Sequence, residues 1–359
     1  MEIIDGDGHV KETPVGGKAV TDYLPDAYRE AYIGKAGLFP YIDHFHNEPV
    51  TMLPDSASGS GEQQGPDDWR EFLEEVGIRA SVLYPSGGLA VGVITSRDWA
   101  IAACTAYNDW LHATYLETNS ALNGMALLPC QDPQAAVDEL RRAVEDLGMR
   151  GAMLPGNGLR SPLGSKDLWP IYAEAERLDC AISVHGGVAS RLGFDYLEVR
   201  PGTHALAHPF SQLISLTSMI FNGVFDHFPN LRVAYLEGGV AWMLVALERF
   251  DRSYSTHIPF NPRGELLQLD PGETVADYLG KLAESGRLVI GCEGEEPDLA
   301  RGVAALGSQA FMFSSDFPHE VSIQMCKHEI EELLESTEIT DAQKADILCE
   351  TARRFYHFS

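Results

Sequence analysis

The sequence is short of positive charge. Its 359 residues carry 26 Lys and Arg against 53 Asp and Glu, a formal net charge of −27. A field of that sign repels phosphate backbones and anionic lipid surfaces, so neither a nucleic acid nor a membrane surface is an expected partner. Long hydrophobic runs are missing: no apolar stretch approaches the roughly 20 residues that span a bilayer. The N-terminus, MEIIDGDGHVKE, lacks a basic region followed by an apolar run, so no secretory signal is read there. Cysteine is sparse and unpaired. Cys104, Cys130, Cys180, Cys292, Cys326 and Cys349 never form a CxxC. That spacing excludes zinc-ribbon and thioredoxin-like sites, and the scatter fits reduced thiols in a cytoplasm. The content of 45% hydrophobic and 22% charged residues excludes wholesale disorder.

What is present is alternation. Eight short apolar runs read as strands: Glu2–Asp7, Ala80–Tyr84, Gly124–Leu128, Gly151–Leu154, Ala181–His185, Arg232–Glu237, Leu288–Cys292 and Phe311–Asp316. Helix-like segments follow at Arg97–Thr118, Gln134–Leu147, Leu168–Leu178, Phe210–Phe225, Val240–Phe250, Val275–Glu284, Ser322–Ser336 and Thr340–Phe355. Thr340 is the expected N-cap of the last. Strand–helix alternation predicts parallel strands with crossover helices. Eight such units in one α/β chain predict a (β/α)8 TIM barrel over residues 1–359 as one domain. A doubly wound sheet would show GxGxxG after its first strand, and Asp-Gly-Asp-Gly-His is not that fingerprint. Long loops are expected on the catalytic face at Asn47–Asp68, Gly186–Pro209 and Ser253–Gly272; the first, rich in Gly, Ser and Gln, reads as a lid or a surface insertion.

The strand ends carry the chemistry. The first holds Asp7 and His9, with Glu12 close behind; the fifth ends in His185, the sixth in Glu237, the eighth in Asp316 with His319 following. In a parallel barrel these ends converge on one rim. Residues two apart on a strand share a face, so Asp7 and His9 are expected to point inward together. Three imidazoles and four carboxylates on one rim form a metal site by composition, suited to iron, manganese or zinc. Taken singly, each residue has a plainer reading as a hydrogen-bonded rim residue, a helix cap or a solvated acid.

Four segments resemble a known family: IIDGDGHVKE at the start, SVHGG at Ser183–Gly187, GVFDHFPNLRVAYLEGGVAWMLVALERFD at Gly223–Asp251, and FMFSSDFPHE at Phe311–Glu320. In order and spacing they are similar to the amidohydrolase-related (amidohydrolase-2) branch of the metal-dependent hydrolases, which includes decarboxylases. The resemblance implies the barrel and a metal held by Asp7, His9, His185 and Asp316. Two departures stand out. Glu237 replaces the histidine that the family's decarboxylases place at the end of strand six. The strand-four lysine that bridges two metals in many members is missing from GAMLPG.

The extra carboxylates, Glu237 and Glu12, resemble a barrel subgroup of non-haem di-iron monooxygenases. On that resemblance the leading expectation is an oxidoreductase. Two Fe ions, held by Asp7, His9, Glu12, His185, Glu237, Asp316 and His319, would hydroxylate an apolar organic acid, as a coenzyme A thioester in many such enzymes, with an external electron donor. The alternative is a hydrolase or non-oxidative decarboxylase using Zn or Mn, with Glu237 or His319 handling the proton. A homodimer is the expected assembly, by analogy with the family. Further residues are left open: His204, His208 and Glu293 near the rim, Arg191 and Arg200 as grips for an anion, and Phe194, Tyr196, Leu206 and Phe210 as an apolar lining. His44 and His46 form an alternating pair before the first long loop. Trp110 and Trp242 are expected in the core.

Overall fold

A computed structural model describes residues 1–31, 38–45, 65–258, 266–319 and 321–359. Eight strands run β1 Ile4–Val10, β2 Ala80–Pro85, β3 Leu122–Leu127, β4 Gly151–Pro155, β5 Ala181–His185, β6 Val233–Leu236, β7 Leu288–Cys292 and β8 Phe311–Phe313. They lie in one sheet in sequential order, every pair parallel. The strands are buried along almost their whole length, as a parallel sheet wrapped by helices requires. The predicted α/β barrel is therefore the observed fold.

The seam between β8 and β1 closes just beyond the last strand. Asp316 N donates to Asp7 O at 3.0 Å, and His9 N donates to Phe317 O at 2.7 Å. Asp5 reinforces the seam: its carboxylate accepts from Ser315 N at 2.8 Å, Ser315 Oγ at 2.9 Å and Ser81 Oγ at 2.5 Å. β1 also carries a bulge. Asp5 pairs with Ser81 but Gly8 pairs with Leu83, so three steps on β1 match two on β2. An extra residue in one strand re-aims the side chains after it. Past the bulge, Asp7 and His9 turn into the barrel mouth, while a Cβ on Gly8 would strike the Trp69 ring at 2.4 Å.

The helices Asp26–Ala31 and Leu299–Leu306 were not expected, and two further differences from the sequence reading are instructive. Pro66–Val76 was hidden by the polar Asn47–Asp68 run; its N-cap is Gly65, with Pro66 at its first turn, and it ends at Gly77, where φ is 85°. Most of that run, residues 47–64, lies outside the described residues, as do His46 and 259–265 of the third long connection. The helix expected at Phe210–Phe225 begins ten residues earlier, as Arg200–Phe221, carrying Pro209 inside it. Elsewhere the expected elements stand close to their places, and Thr340 Oγ1 caps the Asp341–Ala345 helix by accepting from Gln343 N. Trp110 and Trp242 are buried in the core.

The C-terminal segment seals the barrel from below. Tyr356 Oη lies 2.7 Å from Tyr84 Oη and donates to Gly6 O at 2.9 Å; Tyr84 in turn donates to Ser183 Oγ at 2.7 Å. This buried hydroxyl layer is the floor beneath the strand-end residues. No described helix is long and apolar enough to cross a membrane.

Candidate metal centre

Four strand ends meet above that floor. His9 Nε2 lies 3.2 Å from His185 Nε2, 3.5 Å from Asp7 Oδ1 and 3.4 Å from Asp316 Oδ1. His185 Nε2 lies 3.6 Å from Asp7 Oδ2 and 3.3 Å from Glu237 Oε2. Both imidazoles present Nε2 to this centre because Nδ1 is spent on backbone: His9 Nδ1 on Pro85 O at 3.0 Å, His185 Nδ1 on Gly186 O at 3.2 Å. That arrangement is how metal-bound histidines are oriented. Asp7 is fully buried, yet neither of its oxygens has a hydrogen-bond partner among the described residues. A buried carboxylate left bare is costly unless a cation answers it. Oxygen and imidazole donors without thiolate suit divalent iron, manganese or zinc. Asp7, His9 and His185 bring donor atoms within 4.8 Å of one another, and His9, Glu237, Asp316 and His319 form a second such group, so the donors present could hold a divalent ion.

The other expected site residues separate by role. Glu237 joins the centre, 3.3 Å from His185, and its Oε1 lies 3.3 Å from His208 Nδ1. His319 stacks on His9 with ring centroids 4.0 Å apart. Its Nδ1 donates to Asp316 Oδ1 at 2.8 Å, and its Nε2 lies 2.8 Å from Ser86 Oγ. Both its nitrogens are thus engaged. Glu12 does not reach the centre. Its two oxygens accept from Gly87 N and Gly88 N, each at 2.8 Å, and pin the connection after β2. Glu293 lines a neighbouring cleft that shares Glu237 and His208 with the centre. His44 Nε2 is bonded to Leu197 O at 2.9 Å, away from any ligand role. Arg191 donates to Gly158 O and Leu159 O. Phe194 is buried against Phe210, while Tyr196 lies exposed.

The electrostatics follow from burial and crowding. Burial pushes the Asp7 carboxyl up to about 7, beyond what His185 recovers. Burial works against the His185 imidazolium, but Asp7 and Glu237 outweigh it and raise the group to about 9. Burial, with His319 and His185 alongside, holds His9 well below its usual range, so it is neutral and keeps its lone pair. Glu237 resists burial and stays ionised, held well below the carboxylate range by His208 and His185. Burial and the adjacent Glu296 lift Glu293 to about 8.

A cavity of about 270 Å³ opens on this centre. Glu237, Asp316 and His319 lie at its inner end, Leu89 and Ile42 form apolar wall, and Lys11 and Arg200 are also on its lining. Sequence reasoning missed Lys11 and Ser86. It also broke up a detectable pattern: Arg200, His204 and His208 are spaced i, i+4 and i+8, one face of a helix.

Comparison with known proteins decides the family. The amidohydrolase family model (Amidohydro_2) matches residues 78–358. The chain belongs to the amidohydrolase family. Among its amidohydrolase relatives, a 2-amino-3-carboxymuconate-6-semialdehyde decarboxylase from Dictyostelium discoideum is 26% identical over 65% of this chain and 61% of that enzyme. The match thus spans less than two thirds of that relative's length. A gamma-resorcylate decarboxylase from Rhodococcus jostii is 27% identical over 70% of this chain and 76% of its own. The fold is shared with a 5-carboxyvanillate decarboxylase from Novosphingobium aromaticivorans solved with bound manganese, at TM-score 0.77 and 16% identity, covering 99% of this chain and 97% of that one.

These relatives are decarboxylases, and they overturn the leading expectation. The iron-dependent monooxygenase reading is set aside, together with its two Fe ions, electron donor and coenzyme A-linked substrate. The geometry gives a physical reason. The carboxylate surplus that suggested two irons is partly illusory, since Glu12 is committed to backbone N–H groups and Glu237 is shared with His208.

Proposed function

We propose that this amidohydrolase-family chain is a divalent-metal-dependent, non-oxidative decarboxylase of an aromatic or unsaturated carboxylic acid. The observation that carries the reading is the buried, hydrogen-bond-free carboxylate of Asp7 facing two Nε2 atoms, in a chain whose curated relatives are decarboxylases. Asp7, His9, His185 and Asp316 would hold the ion, manganese or zinc. When bound, it supplies Lewis acidity toward a substrate oxygen and neutralises the carboxylates around it.

The chain's own residues supply the rest. Leu89 and Ile42 give an apolar wall for a flat scaffold, and a cavity of about 270 Å³ suits a small acid. His319 faces the cavity with its Nδ1 hydrogen-bonded to Asp316, which raises the imidazole above its usual range against the effect of burial. It can carry a proton at neutral pH. When the bond to the leaving carboxylate breaks, the electron pair stays on the substrate carbon and CO2 departs. His319 delivers the proton that replaces it and is reprotonated from solvent. No oxidant enters. Glu237 stands where relatives of the resembled branch place a histidine, and its partner His208 supplies an imidazole to the same spot.

The test is anaerobic turnover by Mn²⁺-loaded protein on a panel of hydroxybenzoates that includes 2,6-dihydroxybenzoate. The expected result is one CO2 released per product, with one deuterium at the vacated carbon in D2O. Product that retains its carboxylate and forms only with O2 present overturns the reading.

A further inference from the structure

The Arg200–Phe221 helix buries a polar stripe. His208, Ser211, Gln212 and Ser215 are spaced i, i+3, i+4 and i+7, and all four are buried. The inward face of such a helix is ordinarily apolar. Here its side chains reach for the strand ends. Ser215 Oγ donates to Gly156 O at 2.6 Å, just past β4, and Ser211 Oγ donates to Asn157 Oδ1 at 3.1 Å in the same connection. Gln212 reaches β5 and β6, the two strands that deliver His185 and Glu237.

Gln212 is fully buried, and its Nε2 donates to Val184 O at 3.2 Å and to Leu236 O. An amide nitrogen has two hydrogens, and each finds one carbonyl. Carbonyls only accept, so the nitrogen has to face them and the orientation of the amide is fixed by chemistry. Val184 directly precedes His185, and Leu236 directly precedes Glu237. Gln212 therefore ties the two strands one residue before the side chains that meet, His185 Nε2 and Glu237 Oε2 at 3.3 Å. The chain then folds back over the same side chain: a Cβ on Gly238 would lie 2.9 Å from Gln212 Cγ. Glu237, at φ 52°, is the single residue between the carbonyl that Gln212 holds and the glycine packed on it. One turn earlier on the helix, His208 Nδ1 lies 3.3 Å from Glu237 Oε1, and a Cβ on Gly186 would sit 2.9 Å from His208 Cα. The ends of β5 and β6 are both seated on this one helix.

We propose that Gln212 is a positioning residue for the centre: its amide sets the separation of His185 and Glu237 and holds Glu237 in its left-handed bend. It acts through the backbone, from behind the side chains that face the barrel mouth. This rests on the reading of the centre as a divalent-ion site. Groups that orient ligands from behind change metal affinity or activity by roughly 10- to 100-fold when they are removed. A buried hydrogen bond lost elsewhere on the helix lowers stability alone.

Three variants of the full chain separate these effects. Gln212→Met keeps the length of the side chain and removes both donors. Gln212→Asn keeps an amide but is one methylene too short to hold both carbonyls. Ser218→Ala removes a bond of the same helix that Gly164 N donates to Ser218 Oγ at 2.9 Å, in the connection after β4. Equilibrium dialysis against Mn²⁺, the electron paramagnetic resonance spectrum of the bound Mn²⁺ and urea denaturation of the metal-free protein are compared. Gln212→Met is expected to weaken Mn²⁺ binding by at least about tenfold and to alter the spectrum, with Gln212→Asn between it and the unaltered protein. Ser218→Ala should lose stability while its Mn²⁺ affinity stays within about twofold and its spectrum is unchanged. If Gln212→Met does not fold, Gln212→Asn carries the same test. Unchanged affinity and spectrum in the folded Gln212 variant, or a loss that Ser218→Ala matches, would overturn the positioning role and leave the metal centre standing. An unaltered protein that binds no Mn²⁺ would overturn the centre itself, and the proposal with it. None of these readouts depends on which reaction the enzyme performs.

Discussion

Glu237 and Asp316 leave their strands in the same unusual way, with φ of 52° and 53°. Glu237 directly follows β6 and Asp316 lies three residues past β8, each at a left-handed bend of the chain, and they place a carboxylate on His185 and His9 respectively. The left-handed region disfavours residues with a Cβ, and the cost is of order 1 kcal/mol or more for each. Two such residues at one centre, on strands that are otherwise regular, mark a place where geometry is held against local preference.

Relieving that strain separates stability from activity. Glycine adopts the left-handed region freely. Glu237→Gly also removes a buried carboxylate oxygen that has no hydrogen-bond partner among the described residues. Metal-free Glu237→Gly is expected to be at least as stable as the unaltered protein in urea, and up to about 1 kcal/mol more so. Its CO2 release should fall by at least about tenfold, because the carboxylate that faces His185 and His208 at the centre is gone. Urea denaturation and a turnover assay measure the two effects. A large loss of stability would mean that the Glu237–His208 contact, rather than the bend, dominates.

Metal affinity is expected to rise steeply with pH. Asp7 keeps its proton up to about 7 and His185 keeps its own up to about 9, because burial and mutual attraction favour those forms in the metal-free protein. Both must lose the proton to bind a cation. Between about pH 7 and 9 only the His185 proton competes, and affinity should climb by about tenfold per pH unit. Below 7 both compete, and the slope should approach twice that on a logarithmic scale. Equilibrium dialysis against Mn²⁺ at several pH values gives the slope directly. Asp7→Asn should abolish tight binding throughout. The linkage has the opposite sign for the metal-free fold. Asp7 and His185 both hold protons that the unfolded chain has shed, so their contribution to stability falls as pH rises from about 4 to 9.

Glu12 should prove structural. Its two charge-assisted bonds to Gly87 N and Gly88 N tie the end of β1 to the connection after β2. Hydrogen bonds to a charged group are worth roughly 1.5–3 kcal/mol each, less whatever water recovers at this half-buried position. Glu12→Ala is expected to cost about 2–3 kcal/mol in denaturant while metal analysis still finds the ion at unchanged stoichiometry. Loss of metal without loss of stability would return Glu12 to the ligand set.

The sequence made the barrel legible because parallel strands, buried on both faces, read as uninterrupted apolar runs such as Leu288–Cys292. The candidate site followed from those runs, since its residues stand within β1 at Asp7 and His9 or at or just past the ends of the later strands. What stayed hidden depends on contacts across the chain. Nothing local shows that Glu12 would find two glycine N–H groups 75 and 76 residues away. The bulge in β1 is invisible in Asp-Gly-Asp-Gly-His, though it decides that Asp7 faces the centre while Asp5 braces the seam. The Arg200–His204–His208 stripe has a readable period, but Pro209 directly after it makes the segment before it read as loop. The reaction class was misread for a related reason. Counting carboxylates along the chain says nothing about which of them are already spoken for.

His319 gives the sharpest test of the proton path. One nitrogen donates to Asp316 and the other meets Ser86 Oγ, so the ring is fixed at both ends while stacked on His9. If it delivers the proton, His319→Asn should lower kcat by at least about 100-fold, with the Mn²⁺ content and the affinity for benzoate nearly unchanged. Ser86→Ala leaves the imidazole and its bond to Asp316 in place and removes only the outer restraint. It should cost about tenfold at most. The pH profile distinguishes delivery from mere packing. Asp316 raises the imidazole above its ordinary range, so the unaltered enzyme should lose activity on the alkaline side as His319 gives up its proton. That limb should be missing from the residual activity of His319→Asn. An unchanged alkaline limb in the variant would assign the proton to another group, and Glu237 with His208 would be next in line.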